Sequence, residues 1–313
     1  MKLRKPIFWD KELGLTAILL YPITLIMLFL INLRKEFIKS KKFEIPIICV
    51  GNIYIGGTGK TPTSLYLANE LLKSKKNPLI LRKYYSNHSD EYNLIKNNFK
   101  NLAVCKDRVK FLNEMNKSSF DTVILDDGFQ DLRIKKDINI ICFNQNQLIG
   151  NGLTLPSGPL REKLSSLKNA DVIIINGKKD KKFEEKLIKI NEKLEIFYSC
   201  YKPINLDQFK NTKLMALAGI GNPENFFRLL EENNLEIGKK ISLPDHYKFS
   251  KNEIEKLIDE AESKNYKIIM TEKDFYKINH FNFKKINYLK VLLKIDKEEI
   301  FFKKIFEIYD KNI

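Results

Sequence analysis

The sequence of 313 residues has little of the chemistry that binds metals through soft ligands. It contains four cysteines and three histidines, and the cysteines stand far apart, at positions 49, 105, 142 and 200. Because no two of them form a CxxC pair, a cysteine-based metal site is not expected. Cys49 and Cys142 lie inside apolar runs, a placement typical of buried thiols in a reducing compartment.

Acidic residues are also in deficit: 55 lysines and arginines face 39 aspartates and glutamates, giving a formal net charge of +16. A basic excess favours phosphate, nucleic-acid or anionic membrane partners, but the abundance of Lys, Asn and Ile is also what an AT-biased genome produces. With 43% hydrophobic and 30% charged residues, the composition excludes a disordered chain, a collagen and a polytopic membrane protein. The length predicts about two domains.

One segment lacks charged residues altogether. Leu13–Leu33 is an apolar run of 21 residues between basic flanks, close to the roughly 20 residues that cross a bilayer. It is longer than the apolar core of a secretory signal, and no small-residue cleavage site follows it. We predict an uncleaved membrane anchor that spans the bilayer or lies in its interface. The alternative is an apolar helix packed against the soluble part of the chain.

Short apolar runs rich in Ile and Val alternate with amphipathic segments after residue 42. Strands that are apolar on both faces are typical of parallel sheets covered by helices, so we predict an α/β fold with a doubly wound sheet. The candidate strands are Ile45–Val50, Pro78–Leu81, Thr122–Leu125, Ile138–Phe143 and Val172–Ile175. A second α/β unit begins at Leu214–Ala218, after a predicted linker over Tyr198–Thr212.

The strongest local motif is Gly51-Asn-Ile-Tyr-Ile-Gly-Gly-Thr-Gly-Lys-Thr61, which follows a predicted strand and opens a predicted helix. Its glycines let backbone N–H groups curl around phosphate oxygens, and the helix N-terminus adds its positive dipole end. Lys60 can reach the β- and γ-phosphates, and Thr61 can ligate Mg²⁺. Tyr54 stands where the strict pattern has glycine, so this is a variant P-loop. The predicted ATP-binding residues are Gly56, Gly57, Thr58, Gly59, Lys60 and Thr61.

A second Mg²⁺ ligand in P-loop proteins comes from a carboxylate at the end of another strand. Asp126 and Asp127 directly follow four predicted strand residues and suit that position. We therefore predict a P-loop NTPase-like core that binds a nucleoside triphosphate and Mg²⁺; the family resemblance described below implies that the nucleotide is ATP. The expected domains are a membrane anchor over residues 1–40, the P-loop core over 41–205 and a smaller α/β domain over 206–313. We expect the anchor to be dispensable for ATP binding.

Three segments together resemble the tetraacyldisaccharide 4'-kinase family of lipid A biosynthesis. They are the glycine-rich loop through Pro62, Asp126–Gln130, and Asn151–Glu162, the last being the least generic. The resemblance implies transfer of the ATP γ-phosphate to the 4'-hydroxyl of a tetraacylated glucosamine disaccharide 1-phosphate. It also implies two α/β domains with a cleft between them, at the cytoplasmic face of the inner membrane. The implied partners are the acylated substrate in the membrane and an anionic lipid surface, with no nucleic acid and no obligate protein partner.

The resemblance also implies roles for individual residues. The implied catalytic residues are Asp90, His246, Lys60 and Asp127. The implied substrate-binding residues are Arg82, Tyr84, Gln130 and Arg161, and the implied Mg²⁺ ligands are Thr61, Asp126, Asp127 and Glu162. Asp90 and His246 are expected to act together, across the cleft, on the proton of the acceptor hydroxyl, since that proton needs a base within hydrogen-bond reach.

Some positions depart from the family pattern or leave a choice open. The segment around Asp90 has Ser and Tyr in place of the flanking Gly and Pro, and Asp131 stands where the family usually has His. His88 is a rival to His246 as the partner of the catalytic carboxylate. Thr271–Asp274 resembles the family's Thr-Glu-Lys-Asp motif, and its side chains either line the cleft or pair with neighbouring lysines.

Two other classes of protein remain open at this point. A membrane-anchored P-loop ATPase or GTPase of the metallochaperone or partitioning type has a similar glycine-rich loop but does not need Asn151–Glu162 or the Asp245–His246 pair. Thr271–Asp274 is not a guanine-specifying motif, because Glu272 precedes the lysine. A basic nucleic-acid binder would explain the charge, but the sequence has no DNA- or RNA-binding motif and the apolar run would have no purpose.

Overall fold

The computed structural model describes residues 6–10, 14–86, 88–116, 119–245 and 247–310. Its helices are α1 (Leu15–Glu36), α2 (Lys60–Lys73), α3 (Ser89–Asn98), α4 (Arg108–Glu114), α5 (Lys181–Ile190), α6 (Pro223–Glu232), α7 (Lys251–Ser263), α8 (Glu272–Ile278) and α9 (Glu298–Asp310). Its strands are β1 (Ile47–Gly51), β2 (Pro78–Lys83), β3 (Leu102–Cys105), β4 (Thr122–Asp126), β5 (Ile138–Asn144), β6 (Val172–Asn176), β7 (Glu195–Pro203), β8 (Lys213–Ala218), β9 (Ile237–Ser242), β10 (Tyr266–Thr271), β11 (Ile286–Leu289) and β12 (Val291–Ile295).

Eight strands form one sheet in the order β12-β7-β6-β5-β1-β4-β2-β3. Neighbours from β7 to β3 pair in parallel, and β1 and β4 are buried along their whole length, which confirms the predicted doubly wound α/β fold. The register places Val50 of β1 beside Asp126 of β4, and Asp126 beside Arg82 of β2. These three strands therefore deliver a glycine-rich loop, a carboxylate and a guanidinium group to one edge of the sheet.

Four strands form a second parallel sheet in the order β11-β10-β8-β9. Alternate residues of β8 face two different hydrophobic clusters. Leu214 and Ala216 pack with the phenylalanines of α6, whereas Met215 and Leu217 pack with the isoleucines of α7. Helices thus cover both faces of this sheet, as a parallel sheet requires.

Two helices of this part begin at residue types that are preferred at helix N-termini. The Ser250 hydroxyl accepts a hydrogen bond from the Glu253 N–H at 3.2 Å, and the Glu253 carboxylate completes the capping box that starts α7. Asn222 occupies the N-cap position of α6 with Pro223 as the first helical residue, but its side chain makes no capping hydrogen bond. The proline sets the backbone of that first turn instead.

Contacts divide the chain into two compact units. The small unit consists of Tyr84–Lys100 and Tyr201–Leu292, and the large unit contains the rest of the described chain. The division differs from the predicted domains, because α3 belongs to the small unit and α9 to the large one. Packing explains both differences: α3 contacts α8, and the ring of Phe301 in α9 packs edge-on against Phe197 of β7, with centroids 5.3 Å apart.

The predicted linker over Tyr198–Thr212 is wrong in its first part. β7 continues through Pro203, and Phe197 and Ser199 are buried in it while Cys200 is exposed. β7 contains several polar residues between its buried positions. Its composition therefore resembles that of a loop, and the sequence pattern did not predict it as a strand. β3 was missed for a similar reason, because this short strand has no fully buried residue.

α1 carries the predicted apolar run. Among the described residues it is the one helix long and apolar enough to cross a membrane. Only Ala17 and Thr24 of its residues are buried, whereas Leu19 and Phe29 are 75% and 66% exposed. The helix therefore packs on the protein through a narrow strip and leaves most of its apolar surface uncovered.

The docking strip of α1 depends on a buried hydroxyl. Thr24 Oγ1 donates to Ser157 Oγ at 2.8 Å and accepts from the Ser157 N–H at 3.2 Å. Close by in sequence, Trp9 Nε1 donates to the Pro156 carbonyl at 3.0 Å. Buried polar groups cost free energy unless they are hydrogen-bonded, so these bonds determine where α1 lies on the large unit.

Thr24→Val tests this docking, since it keeps the side-chain shape and removes the hydroxyl. We expect the free energy of unfolding of the full chain in detergent to fall by about 1–3 kcal/mol, because the polar groups of Ser157 lose their partner. Denaturant unfolding followed by the fluorescence of Trp9, the single tryptophan, measures it. The control is Thr16→Val at an exposed position of the same helix, expected within about 0.5 kcal/mol of wild type. Equal stability of the two variants would contradict the docking.

Candidate active site

The predicted P-loop leaves β1 and is shaped by one buried amide. The Asn52 side-chain Nδ2 donates to the carbonyl oxygens of Tyr54 and Gly56, at 2.6 and 3.3 Å. The same nitrogen donates to the Thr58 hydroxyl at 2.9 Å. Gly56 and Gly59 have φ angles of +107° and +93°. Residues with a Cβ atom are strained in this conformation, whereas glycine adopts it readily. α2 starts after Gly59 without a capping side chain, as a helix that binds an anion does.

A fully buried carboxylate faces the start of α2. Asp126 Oδ2 accepts from the Thr61 hydroxyl at 3.2 Å, and Oδ1 accepts from the Ser64 hydroxyl at 3.1 Å. The Arg82 guanidinium forms an ion pair with Asp126 and donates to Thr61 Oγ1 at 3.0 Å. The predicted Mg²⁺ ligands Thr61 and Asp126 are therefore brought together, and Arg82 lies beside them.

The neighbouring carboxylate of Asp127 faces the P-loop cations. Its Oδ1 lies 2.8 Å from Arg161 Nη1 and 3.7 Å from Lys60 Nζ. Burial opposes its ionisation, but the charges of Lys60, Arg161 and Arg82 outweigh burial and hold the pKa of Asp127 well below its usual range. Burial also lowers the pKa of Lys60, against the attraction of Asp127. Asp127 therefore stays ionised at neutral and moderately acidic pH.

Arg108 belongs to this site although no sequence motif singled it out. It is buried, and its Nη2 donates to the carbonyl oxygens of Asp126 and Asp127, at 2.6 and 3.1 Å. These bonds fix the backbone where β4 ends and where Asp127 adopts a φ of +57°. Arg108 lies just after β3. Recognising that strand would have placed Arg108 at the same edge of the sheet as Asp126, but the sequence pattern did not predict β3.

The segment Asn151–Glu162 runs along the P-loop. The Ile55 N–H donates to the Pro159 carbonyl at 2.9 Å, and the Arg161 N–H donates to the Ile53 carbonyl at 2.6 Å. This pairing places the Arg161 side chain against Asp127. The least generic motif of the sequence is thus part of the wall of the phosphate loop.

Two predicted ligand-binding residues make contacts with protein groups here. Glu162 Oε2 accepts from Lys35 Nζ of α1 at 2.9 Å, and Gln130 Nε2 donates to the Asn52 carbonyl at 2.8 Å. Glu162 therefore ties the 151–162 segment to α1, and Gln130 ties the loop after β4 to the P-loop. Their roles toward Mg²⁺ and substrate stay predictions. The expectation that residues 1–40 are dispensable for ATP binding stays a prediction, and the Lys35 contact shows that α1 bonds the 151–162 segment.

The predicted catalytic carboxylate lies in the small unit. Asp90, in the first turn of α3, is 4% exposed. Its Oδ2 lies 3.5 Å from Lys273 Nζ and 3.8 Å from Lys277 Nζ, both on α8. Tyr84 is 48% exposed and stacks on Tyr92, with ring centroids 6.2 Å apart.

The proposed partner of Asp90, His246, lies outside the described residues. Its neighbour Asp245 belongs to the small unit, as Asp90 does, and its Oδ1 lies 3.1 Å from Lys273 Nζ. The expectation that the two predicted catalytic segments come from different domains is therefore wrong, because α3 folds with α8. The rival His88 pairs through Nδ1 with Glu91 Oε2 at 3.3 Å.

The residues present suit a bound Mg²⁺. Mg²⁺ prefers oxygen ligands and is usually held by one or two protein groups together with water and substrate phosphates. The Thr61 hydroxyl and the Asp126 carboxylate provide two such oxygens within 3.2 Å of each other, directly after the glycine-rich loop. The site can therefore position a nucleoside triphosphate and its metal ion.

Comparison with known proteins gives a consistent family. The family model described as tetraacyldisaccharide-1-P 4'-kinase, LpxK, matches residues 16–309. The tetraacyldisaccharide 4'-kinase of Pelagibacter ubique is 39% identical, covering 100% of both chains. The Rickettsia bellii protein of that name is 33% identical and covers 98% of this chain and 99% of its own.

A solved structure agrees with the sequence relatives. The crystal structure of LpxK from Aquifex aeolicus in complex with ATP is 25% identical and has a TM-score of 0.69, covering 93% of this chain and 99% of that one. These matches favour a lipid A 4'-kinase over the metallochaperone, partitioning and nucleic-acid-binding proteins considered above. With nearly its whole length matched, the chain belongs to the tetraacyldisaccharide 4'-kinase family.

Proposed function

We propose that this protein transfers the γ-phosphate of ATP to the 4'-hydroxyl of a tetraacylated glucosamine disaccharide 1-phosphate, giving the bisphosphorylated lipid A precursor. The observation that carries the proposal is the convergence of the P-loop with the buried Thr61–Asp126 pair in a chain of this family. The relatives are named 4'-kinases, and the solved neighbour was crystallised with ATP.

Phosphoryl transfer needs positioning and charge neutralisation more than covalent chemistry. The N–H groups after Gly56 and the Lys60 ammonium hold the phosphates, and Thr61 and Asp126 would hold Mg²⁺. That ion, when bound, supplies positive charge to the β- and γ-phosphates. Asp127 positions Lys60 and Arg161 at the mouth of the loop before the nucleotide arrives, since it contacts both.

Arg82 acts at the phosphate side of the reaction in this proposal. The sequence assigned it to the acceptor, but its guanidinium contacts Asp126 and Thr61. Tyr84, two residues further, is half exposed and stays a candidate for the acceptor sugar. Gln130 stays a candidate substrate residue and Glu162 a candidate Mg²⁺ ligand.

The acceptor side is formed by Asp90 and His246. The carboxylate takes or orients the proton of the 4'-hydroxyl, and the imidazole relays it, because a histidine titrates near neutral pH. Asp90 is nearly completely buried and pairs with Lys273 and Lys277, and buried ionisable clusters of this kind are common at functional sites.

The membrane is the place of reaction. Moving an acyl chain out of a bilayer costs about 0.8 kcal/mol per CH₂, so the enzyme reaches its acceptor at the bilayer surface. α1 presents the uncovered apolar side chains for this purpose, and Arg34 in its last turn suits anionic headgroups. The proposed location is the cytoplasmic face of the inner membrane.

The direct experiment incubates the purified full-length chain with ATP, Mg²⁺ and a monophosphorylated tetraacyldisaccharide. The expected product is the bisphosphorylated lipid, identified by mass spectrometry. ATP hydrolysis without a phosphorylated lipid would contradict the proposal and favour an ATPase.

Lys60→Ala tests the phosphate loop. We expect kcat to fall about 10²–10³-fold, as for the loss of one electrostatic donor in a transition state, with the melting temperature nearly unchanged. The matched control is Lys73→Ala at the exposed end of the same helix, which should keep wild-type turnover. More than about a tenth of wild-type activity in Lys60→Ala would exclude this loop as the phosphate site.

Asp90→Ala and His246→Ala test the acceptor pair. Each should lower kcat strongly with ATP affinity nearly intact, and the double variant should be little worse than the poorer single variant, because residues that act as a unit are non-additive. Multiplying losses would argue against the pair. Loss of activity in His88→Ala with full activity in His246→Ala would transfer the role to His88.

The double variant Leu19→Asp with Phe29→Asp tests the membrane role of α1. We expect binding to vesicles of mixed neutral and anionic lipid to fall by at least about tenfold, since carboxylates enter the bilayer unfavourably. Leu72→Asp with Ile188→Asp changes two exposed apolar side chains on other helices of the large unit and should bind as wild type. Unchanged binding of the α1 variant would place membrane binding elsewhere, and equal loss in both variants would contradict a specific role of α1.

A further inference from the structure

We propose that Lys273 and Lys277 of α8 are positioning residues that keep the Asp90 carboxylate ionised and oriented for proton transfer. The inference rests on the proposed function, in which Asp90 receives the acceptor proton. It gives a role to the Thr271–Asp274 motif, for which the sequence offered only general alternatives.

The two ammonium groups surround one carboxylate oxygen. Lys273 Nζ and Lys277 Nζ lie 3.5 and 3.8 Å from Asp90 Oδ2. They are one helical turn apart, so both side chains project from the same face of α8. Their side chains are only 15% and 9% exposed, which makes their charges less screened than those of surface lysines.

Each lysine is held by further partners. Lys273 Nζ lies 3.1 Å from Glu91 Oε1 and 3.1 Å from Asp245 Oδ1. Lys277 Nζ lies 2.6 Å from Asp274 Oδ1 and donates to the Gly219 carbonyl at 3.0 Å. Neither ammonium group is therefore free to turn away from Asp90.

The remaining motif residues fix α8 itself. Asp274 is fully buried and accepts from the Thr271 hydroxyl and from the Gly219 N–H, both at 2.7 Å. Glu272 Oε1 accepts from Asn98 Nδ2 of α3 at 3.0 Å. Thr271 and Asp274 thus anchor α8 to the end of the small sheet, and Glu272 ties it to the helix that carries Asp90.

The charge balance explains why two lysines are needed. Among the described residues, Asp90, Glu91, Asp245 and Asp274 bring four carboxylates to this cluster, where they face two ammonium groups and the His88 imidazole that pairs with Glu91. Like charges close together favour protonation of one carboxylate, and a cation within about 4–6 Å opposes it. Loss of the lysines would favour the protonated form of the buried Asp90, and that form cannot accept a proton from the sugar hydroxyl.

Lys273→Met in the full-length enzyme tests the inference. We expect kcat on the acidic side of the pH profile to fall about tenfold, with recovery at higher pH and with the KM for ATP unchanged, because loss of a nearby cation raises the pH needed to ionise a carboxylate by about one unit or more. Lys273→Arg, which retains the charge, should recover most of the activity. Lys251→Met, at an exposed lysine of α7, should behave as wild type.

A second variant separates positioning from a merely structural role. In an Asp90→Asn background, Lys273→Met should lower kcat no further, since there is no carboxylate left to hold ionised. An equal loss at every pH without rescue by arginine, an unchanged profile, or a full additional loss in the Asp90→Asn background would each overturn the inference. Absence of bisphosphorylated lipid with the wild-type enzyme would instead refute the proposed function, so the two failures are distinguishable.

Discussion

The Asp126 carboxylate at the end of β4 is fully buried, and the large unit has to supply partners for its charge. Transfer of an ion from water to a protein interior costs several kcal/mol unless partners replace the water. Asp126 finds them in Arg82 from β2 and in Thr61 and Ser64 from α2, while Arg108 holds the carbonyl behind it. One buried charge thus fixes two strands, the helix after the P-loop and the start of α4.

The groups that stabilise this charge are also the groups that the chemistry needs. In the proposed function the Thr61 hydroxyl and the Asp126 carboxylate would provide the oxygen pair for Mg²⁺, and the Arg82 guanidinium already contacts both groups. The P-loop is likewise shaped before any nucleotide arrives, because the Asn52 amide holds it from inside. A preformed site loses less free energy to ordering when the ligand binds.

The sequence predicted the parts of the site that are local. β1 and β4 were recognised because both faces are apolar, and the loop and acidic pair follow these strands directly. What it could not predict depends on contacts between distant segments. Arg108 acts through backbone carbonyls that only the folded sheet brings near it, and Ser64 reaches Asp126 only because α2 packs against β4.

The assignment of α3 to the small unit is a further non-local property. Nothing in the composition of residues 84–100 distinguishes them from the P-loop core that surrounds them in sequence. Their position follows from packing on α8 and from the bond between Asn98 and Glu272. The Thr271–Asp274 motif is likewise explained only by the fold. Lys273 of the motif pairs with Asp90, a residue far from it in sequence, and the residues next to Lys273 do not indicate this contact.

α1 is part of this framework as well as an apolar surface. Hydrogen bonds lead from Thr24 to Ser157, and from the same segment through Pro159 to Ile55 of the P-loop. A second link runs from Lys35 to Glu162, next to the Arg161 that contacts Asp127. These links are short and lie within one compact unit, unlike a flexible tether, whose end-to-end distance varies widely. If the acceptor stays in the bilayer, as the proposed function requires, α1 would hold the P-loop near the headgroups through the 151–162 segment, which bonds both α1 and Ile55 of the loop.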